Sequence, residues 1–211
     1  KNLNKQFLEM AEWTKENNLA KYQKNFLGEH YENNDEALWS WDIIQKGTSD
    51  EYDRIVVAID PAVTSNKNSD ETGIVVCAKR GQQGYVLEDR SGTYTPNEWS
   101  SIAISLYNKW KADRVIGEVN NGGDMVETIL RQADKSVSYK AVRASRGKTT
   151  RAEPVVSLYE RGLIYHAEKL PELELQMTTW NPTKKESPDR IDAMVWGFTE
   201  LMLKNNRGWV I

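Results

Sequence analysis

The apolar positions of this chain change period several times, and each change marks an element. "RIVVAID", residues 54–60, carries an unbroken apolar run from Ile55 to Ile59 and reads as a buried strand. It stops at Asp60 and Pro61, because proline cannot continue a hydrogen-bonded ladder. "TGIVVCAKR" and "YVLEDRSG" follow as two further strands rich in β-branched residues, joined by the turn "GQQG". Connections this short predict an antiparallel meander of three strands.

From Thr95 the period lengthens. Trp99, Ile102, Ala103, Leu106, Tyr107 and Trp110 recur at helical spacing behind Thr95 and Glu98, a capping box with Pro96 at the first helical position. "DRVIGEVN" predicts a fourth strand over 114–118, "GGDMVETILRQA" a helix and "VSYKAVRA" a fifth strand. A helical stretch over 153–161, the short run "LIYHA" and a long closing helix from 188 to about 205 complete the chain. The order β-β-β-α-β-α-β-α predicts an α/β fold, with a mixed central sheet of three antiparallel strands plus parallel strands and helices on both faces.

Composition adds a boundary. The 211 residues, 39% of them hydrophobic, suffice for one well-cored domain and an appendage. Residues 1–50 look helical at first, then polar and turn-rich, and they carry the acidic excess behind the net charge of -3. They read as a linker or the tail of a preceding domain, with 51–211 as the domain proper. The remainder is balanced, so bulk charge names no partner. The single cysteine, Cys77, lies in a strand-like run and reads as a core residue; a disulfide within the chain is excluded. No apolar run approaches the roughly 20 residues that span a bilayer, so no membrane partner is expected, and no signal peptide is expected either. The chain opens on Lys1 rather than methionine, which suggests a fragment or processed product.

The candidate chemistry is carboxylate. Asp60 ends the first strand and Glu118 the fourth; if these strands lie side by side and parallel, both acids project at one carboxyl edge, where α/β sheets place ligands. The last helix, "SPDRIDAMVWGF", offers Ser187 as N-cap, Pro188 at its first position, and Asp189 and Asp192 three residues apart on one face. Its apolar stripe is Ile191, Met194, Val195, Phe198, Leu201 and Met202, and Asp192 borders it. Crowded carboxylates repel unless a cation holds them. Mg²⁺ suits such oxygen ligands, and two ions about 3.5–4 Å apart can activate water and stabilise the leaving oxygen of a phosphodiester. Structural explanations compete: Asp60 before proline as a turn residue, Asp189 as a favourable charge at a helix N-terminus. They fit Glu118 less well, because glutamate is a poor strand residue, and Asp192 less well, because it lies past the first turn.

The motifs "AIDPA", "DETGIVV", "IGEVNNGGDMVE", "VRASRGKTTRAEPVVSLYERGLIYH" and "SPDRIDAMVWG", in this order over about residues 54–203, resemble the C-terminal nuclease domain of the large terminase subunit of tailed bacteriophages. The segment "YQKNFLGEHYENNDEALWS" resembles the stretch that leaves the terminase ATPase domain. The resemblance implies a ribonuclease H-like fold and an endonuclease that cuts concatemeric double-stranded phage DNA with Mg²⁺ or Mn²⁺, two ions being expected. It makes Asp60, Glu118 and Asp192 the first, second and third metal-binding and catalytic acids, with Asp60 shared between the ions. Asp189 falls where some members have a further ligand. Expected partners are double-stranded DNA, the ATPase domain of the same polypeptide, the portal protein and the small terminase subunit, in the host bacterial cytoplasm at the procapsid portal. The chain has no G-x-x-x-x-G-K-[ST] loop: Gly147-Lys148-Thr149 lacks the earlier glycine, so the motor itself is not here.

DNA contacts are expected from "KAVRASRGKTTR", which holds Lys140, Arg143, Arg146, Lys148 and Arg151 and no acid, and from Lys184 and Lys185. A solvated basic loop is the plainer alternative. Gly122 and Gly123 could offer N–H groups to a phosphate or form a simple turn. Trp99, Trp110 and Trp196 are assigned to packing, and Trp39 and Trp41 to docking the N-terminal segment. His30 and His166 are read as satisfied polar residues. Two rival functions remain open: a Holliday-junction resolvase or transposase-like nuclease on the same fold, and a non-catalytic domain that docks on the portal or motor.

Overall fold

The computed structural model describes residues 37–61, 71–119, 123–183 and 187–203. The strands are β1 (Gln45–Lys46), β2 (Arg54–Asp60), β3 (Gly73–Arg80), β4 (Gln83–Asp89), β5 (Arg114–Glu118), β6 (Tyr139–Val142) and β7 (Ile164–His166). The helices are α1 (Pro96–Lys109), α2 (Gly123–Ala133), α3 (Lys148–Glu160), α4 (Pro171–Thr179) and α5 (Asp189–Phe198), the last running into a π turn at Thr199–Leu203. Among the described residues the sheet has seven strands in the order β1-β7-β4-β3-β2-β5-β6. β2, β3 and β4 form the expected antiparallel meander, with a register shift between Val76 and Cys77. β5 lies parallel to β2, and β6 parallel to β5.

Side-chain alternation along β2 divides the core in two. Val57 and Ile59 face one layer, packed with Trp99, Leu106 and Leu130 of α1 and α2. Val56 and Ala58, with Ile116 of β5, face the other layer, built from α3, α4 and α5. The same alternation carries the next residues, Asp60 and Glu118, toward the α5 side. Helices therefore cover both faces, as expected.

α1 starts as the sequence predicts: Thr95 Oγ1 accepts from the Glu98 backbone N–H, and the Glu98 carboxylate accepts from the Thr95 N–H at 2.8 Å. Other boundaries differ. α3 begins at Lys148 rather than near 153, which turns the end of the basic loop into a helical first turn; Pro154 sits inside it. α5 begins at Asp189 with Pro188 in the capping position. Ser187 does not cap the helix backbone but donates to the Asp189 carboxylate instead. α4 and β1 escaped the sequence reading. β1 is only two residues long, and α4 has Leu173 and Met177 on a buried side that is short and weakly periodic.

The compact unit that holds the sheet runs from Glu36, so residues before 51 contribute to it. Trp39 is 2% exposed and meets Tyr159 edge to face, and Gln45–Lys46 pair with β7. The buried indole explains why a polar, turn-rich stretch is part of the domain: one large ring supplies the apolar area that its neighbours lack. Trp39→Ala is expected to cost about 3–5 kcal/mol, read as a lower urea midpoint with little change in slope.

Candidate metal centre

Register places the acids. Asp60 pairs with Gly73 across β2 and β3, and Ile59 pairs with Gly117, the residue before Glu118. α5 comes down on Gly73 so closely that a Cβ there would run into the Asp189 carbonyl oxygen. Only glycine permits this seat. At the other end of the helix, a Cβ on Gly197 would stand 2.5 Å from Cys77 Sγ. All ten residues of α5 are buried, so Asp189 and Asp192 are carried inward with it. Cys77 is, as expected, an interior residue.

Asp60, Glu118, Asp189 and Asp192 thus share one notch at the carboxyl edge of the sheet. Burial pushes the Asp60 carboxyl well above the usual carboxylate range, and the charges of Asp192, Glu118 and Asp189 push it further. Asp192 is also raised, by burial first, with Lys148 and Arg151 pulling the other way.

Two cations from the first turn of α3 enter the notch. Arg151 donates to Glu118 Oε2 at 3.1 Å and to Asp192 Oδ1 at 3.3 Å, with its guanidinium 4.7 Å over the Trp196 ring. Trp196 Nε1 donates to the same Glu118 oxygen at 2.6 Å. Lys148 Nζ is 2.5 Å from Asp192 Oδ2 and donates to Ser187 Oγ at 2.8 Å, and Ser187 in turn donates to Asp189 Oδ1 at 2.5 Å. Burial pulls the Lys148 ammonium down, but Asp192, Asp60 and Asp189 outweigh it, and its pKa is raised. Trp196 and Ser187 are hydrogen-bonding neighbours of the acids that the sequence reading assigned to packing and capping. The signal for Trp196 was its position four residues after Asp192, one turn along the same face.

The remaining basic residues lie in three places. Arg143 and Arg146 are exposed and line a cavity of about 480 Å³ that shares Arg151 and Trp196 with the acidic notch. Lys140 points elsewhere: its Nζ holds both oxygens of the buried Glu200, at 2.8 and 2.9 Å, with Arg114 and Arg54 3.8 and 4.0 Å away. Lys184, Lys185, Gly122 and His30 lie outside the described residues. His166 is a satisfied interior residue, between Tyr159 Oη at 2.8 Å and Glu174 Oε1 at 3.0 Å. Next to Asp189, Arg190 clamps α5 to Glu71, Asp89 and Glu172 at 2.8–3.0 Å.

The donor set fits a divalent ion. It is all hard oxygen, the acids raise the pKa of Asp60, and Asp192 Oδ2 is a buried oxygen whose neighbour is an ammonium rather than a neutral donor. Among the described residues, no group of three or more Asp, Glu, His or Cys side chains is placed so that it could hold a metal ion as it stands.

A scan of family profiles matches residues 57–201 to the terminase RNaseH-like domain. The chain belongs to this family. Solved structures share its fold. The large terminase nuclease of thermophilic phage G20c superposes with a TM-score of 0.58 at 12% identity, covering 78% of this chain and 98% of that one. The nuclease domain of the large terminase g2p of bacteriophage SPP1, with bound Mn, gives 0.54 at 15% identity over 75% and 96%. The large terminase of another thermophilic bacteriophage, in complex with ADP, gives 0.58 at 15% identity, over 94% of this chain and 52% of that one. No curated protein matches. The mixed sheet with helices on both faces is a ribonuclease H-like fold.

The raised Asp60 carboxyl fixes a sign for pH dependence. The folded chain keeps this proton where the unfolded chain has lost it, so metal-free stability falls as pH rises from about 4 toward the folded pKa. Asp60→Asn is expected to flatten that slope and raise the metal-free Tm at neutral pH. Mn²⁺ is expected to raise the Tm of the parent and not of the variant; differential scanning calorimetry across pH reads both.

Proposed function

We propose that this chain is the metal-dependent endonuclease domain of a terminase large subunit, acting on double-stranded DNA. The observation that carries the reading is the meeting of four acids from β2, β5 and α5 in one notch, bordered by a basic helix turn and the arginine-lined cavity. Asp60, Glu118 and Asp192, with Asp189 beside them, are the residues that hold divalent ions, Mg²⁺ or Mn²⁺ and two of them by the chemistry. Bound there, such ions supply an activated water and charge neutralisation at the leaving oxygen.

The protein's own groups do the rest. Arg151 sets the spacing of Glu118 and Asp192 across two elements, and Trp196 fixes the Glu118 carboxylate from behind. Arg143 and Arg146 present cations to backbone phosphates on the open side; such contacts position DNA without reading its sequence. Within this reading the substrate is concatemeric viral DNA. The partners are the ATPase domain of the same polypeptide, the portal protein and the small terminase subunit, in the host cytoplasm at the procapsid portal. The ADP-bound large terminase, about half of which is spanned by a chain of this length, supports a place within a longer polypeptide.

With Mg²⁺ or Mn²⁺, supercoiled plasmid is expected to be nicked and linearised by the parent chain and left at background by Asp60→Ala. Equal cleavage by both sinks the assignment, and cleavage confined to a four-way junction points to a resolvase instead. DNA binding is expected to weaken steeply with salt. Arg146→Ala is expected to lower affinity to a similar extent for every duplex sequence and to reduce the log–log salt slope by about 1, measured by fluorescence anisotropy.

A further inference from the structure

The two cations in the acidic notch are held in different ways. Arg151 is 10% exposed, lies against Trp196 and forks between Glu118 and Asp192. Lys148 has its side chain 41% exposed, and it ends on Asp192 Oδ2 and Ser187 Oγ. That carboxylate oxygen is buried, and the ammonium beside it is its ion-pair partner. Oδ2 of Asp192 is therefore a metal-ligand lone pair covered by a side chain of the protein itself.

We propose that Lys148 is a displaceable occupant of the divalent-ion site, neutralising Asp192 until an ion takes its place, while Arg151 stays as the fixed strut. This rests on the reading of the notch as a divalent-ion site. An ammonium and a divalent ion cannot both sit on one carboxylate oxygen, because like charges at contact repel strongly where water is scarce. The lysine is built to leave. Its charge is compact and strongly hydrated, its stem is flexible, and its side chain is partly exposed, so swinging outward costs little. Arg151 is built to stay, since its planar fork is matched on two carboxylates and its face is covered by the indole. Ser187 is the pivot: it accepts from the Lys148 ammonium on one side and donates its own proton to Asp189 on the other, so the lysine's departure also changes what Asp189 meets. An internal competitor lowers apparent ion affinity to the fraction of time it leaves the site open, so a tenfold effect corresponds to a site open about a tenth of the time.

The test is calorimetric titration of Mn²⁺ into the metal-free chain, without DNA. Lys148→Met is expected to bind Mn²⁺ about tenfold more tightly than the parent, a typical size for coupling between two ligands. Lys148→Gln should do the same. Arg146→Ala, which removes a nearby exposed cation, should leave the affinity within about twofold, because exposed charge is screened. Equal or weaker binding by both Lys148 variants overturns the proposal, as does equal tightening by Arg146→Ala, which would mean a general field effect. If the parent shows no Mn²⁺ binding that Asp60→Ala abolishes, the metal-site reading fails and the proposal with it. If the parent binds in that way and the Lys148 variants bind no better, the displacement alone fails.

Discussion

Mutual repulsion among four carboxylates is the constraint around which this domain is arranged. Two unit charges 4 Å apart at a partly buried site interact by about 4 kcal/mol, whereas a typical hydrogen bond contributes about 1 kcal/mol net. Hydrogen bonds alone therefore cannot hold such a cluster together, and a domain stable by only about 5–15 kcal/mol needs cations there. The fold supplies them from one helical turn, Lys148 and Arg151, and orders the acids with neutral donors, Trp196 and Ser187. The glycine seat under Asp189 is part of the same arrangement, since it lets the helix backbone rest directly on the strand that faces Asp60.

Much of this was legible in the sequence because strands and strand ends have strong local signatures. The run from Ile55 to Ile59 marked β2, and its alternation sends Asp60 to a definite face; the same holds for Glu118 after Ile116. Asp189 and Asp192 were legible from helical spacing. What was hidden depends on contacts distant in sequence. The basic stretch 140–151 looked like one patch, but it is divided between a strand and a helix. Lys140 in β6 reaches Glu200, while Arg151 in α3 reaches Glu118 and Asp192. Spacing along the chain cannot reveal such a division, because it is set by where β6 ends and α3 begins. Trp196 was read as packing because indoles usually are; its N–H partner lies on another element, 78 residues away in sequence. Residues 37–50 looked like a linker because a single buried tryptophan leaves little periodic trace.

The separation of roles between the two layers follows from the same alternation. The layer of α1 and α2 packs apolar side chains against Val57, Ile59, Ile74 and Val76, and the buried Glu88 is held there by Lys109 and Trp110. The opposite layer carries nearly all the buried ionic chemistry found among the described residues: the acidic notch, the Arg190 clamp, the Glu200 cluster and the His166–Glu174 pair. One face thus rests mainly on apolar packing, while the other combines its apolar core with most of the groups whose charges must be matched pair by pair.

α5 is fastened at both ends by ion pairs, through Arg190 beside the notch and, within the π turn that follows it, through Glu200 gripped by Lys140. Between these anchors Gly197 leaves no slack against Cys77. Such a rod cannot slide or roll by a fraction of a turn without breaking charge pairs at its ends. The grip on Glu200 therefore ties β2, β5 and β6, through Arg54, Arg114 and Lys140, to the end of the rod that carries Asp189 and Asp192 at its start.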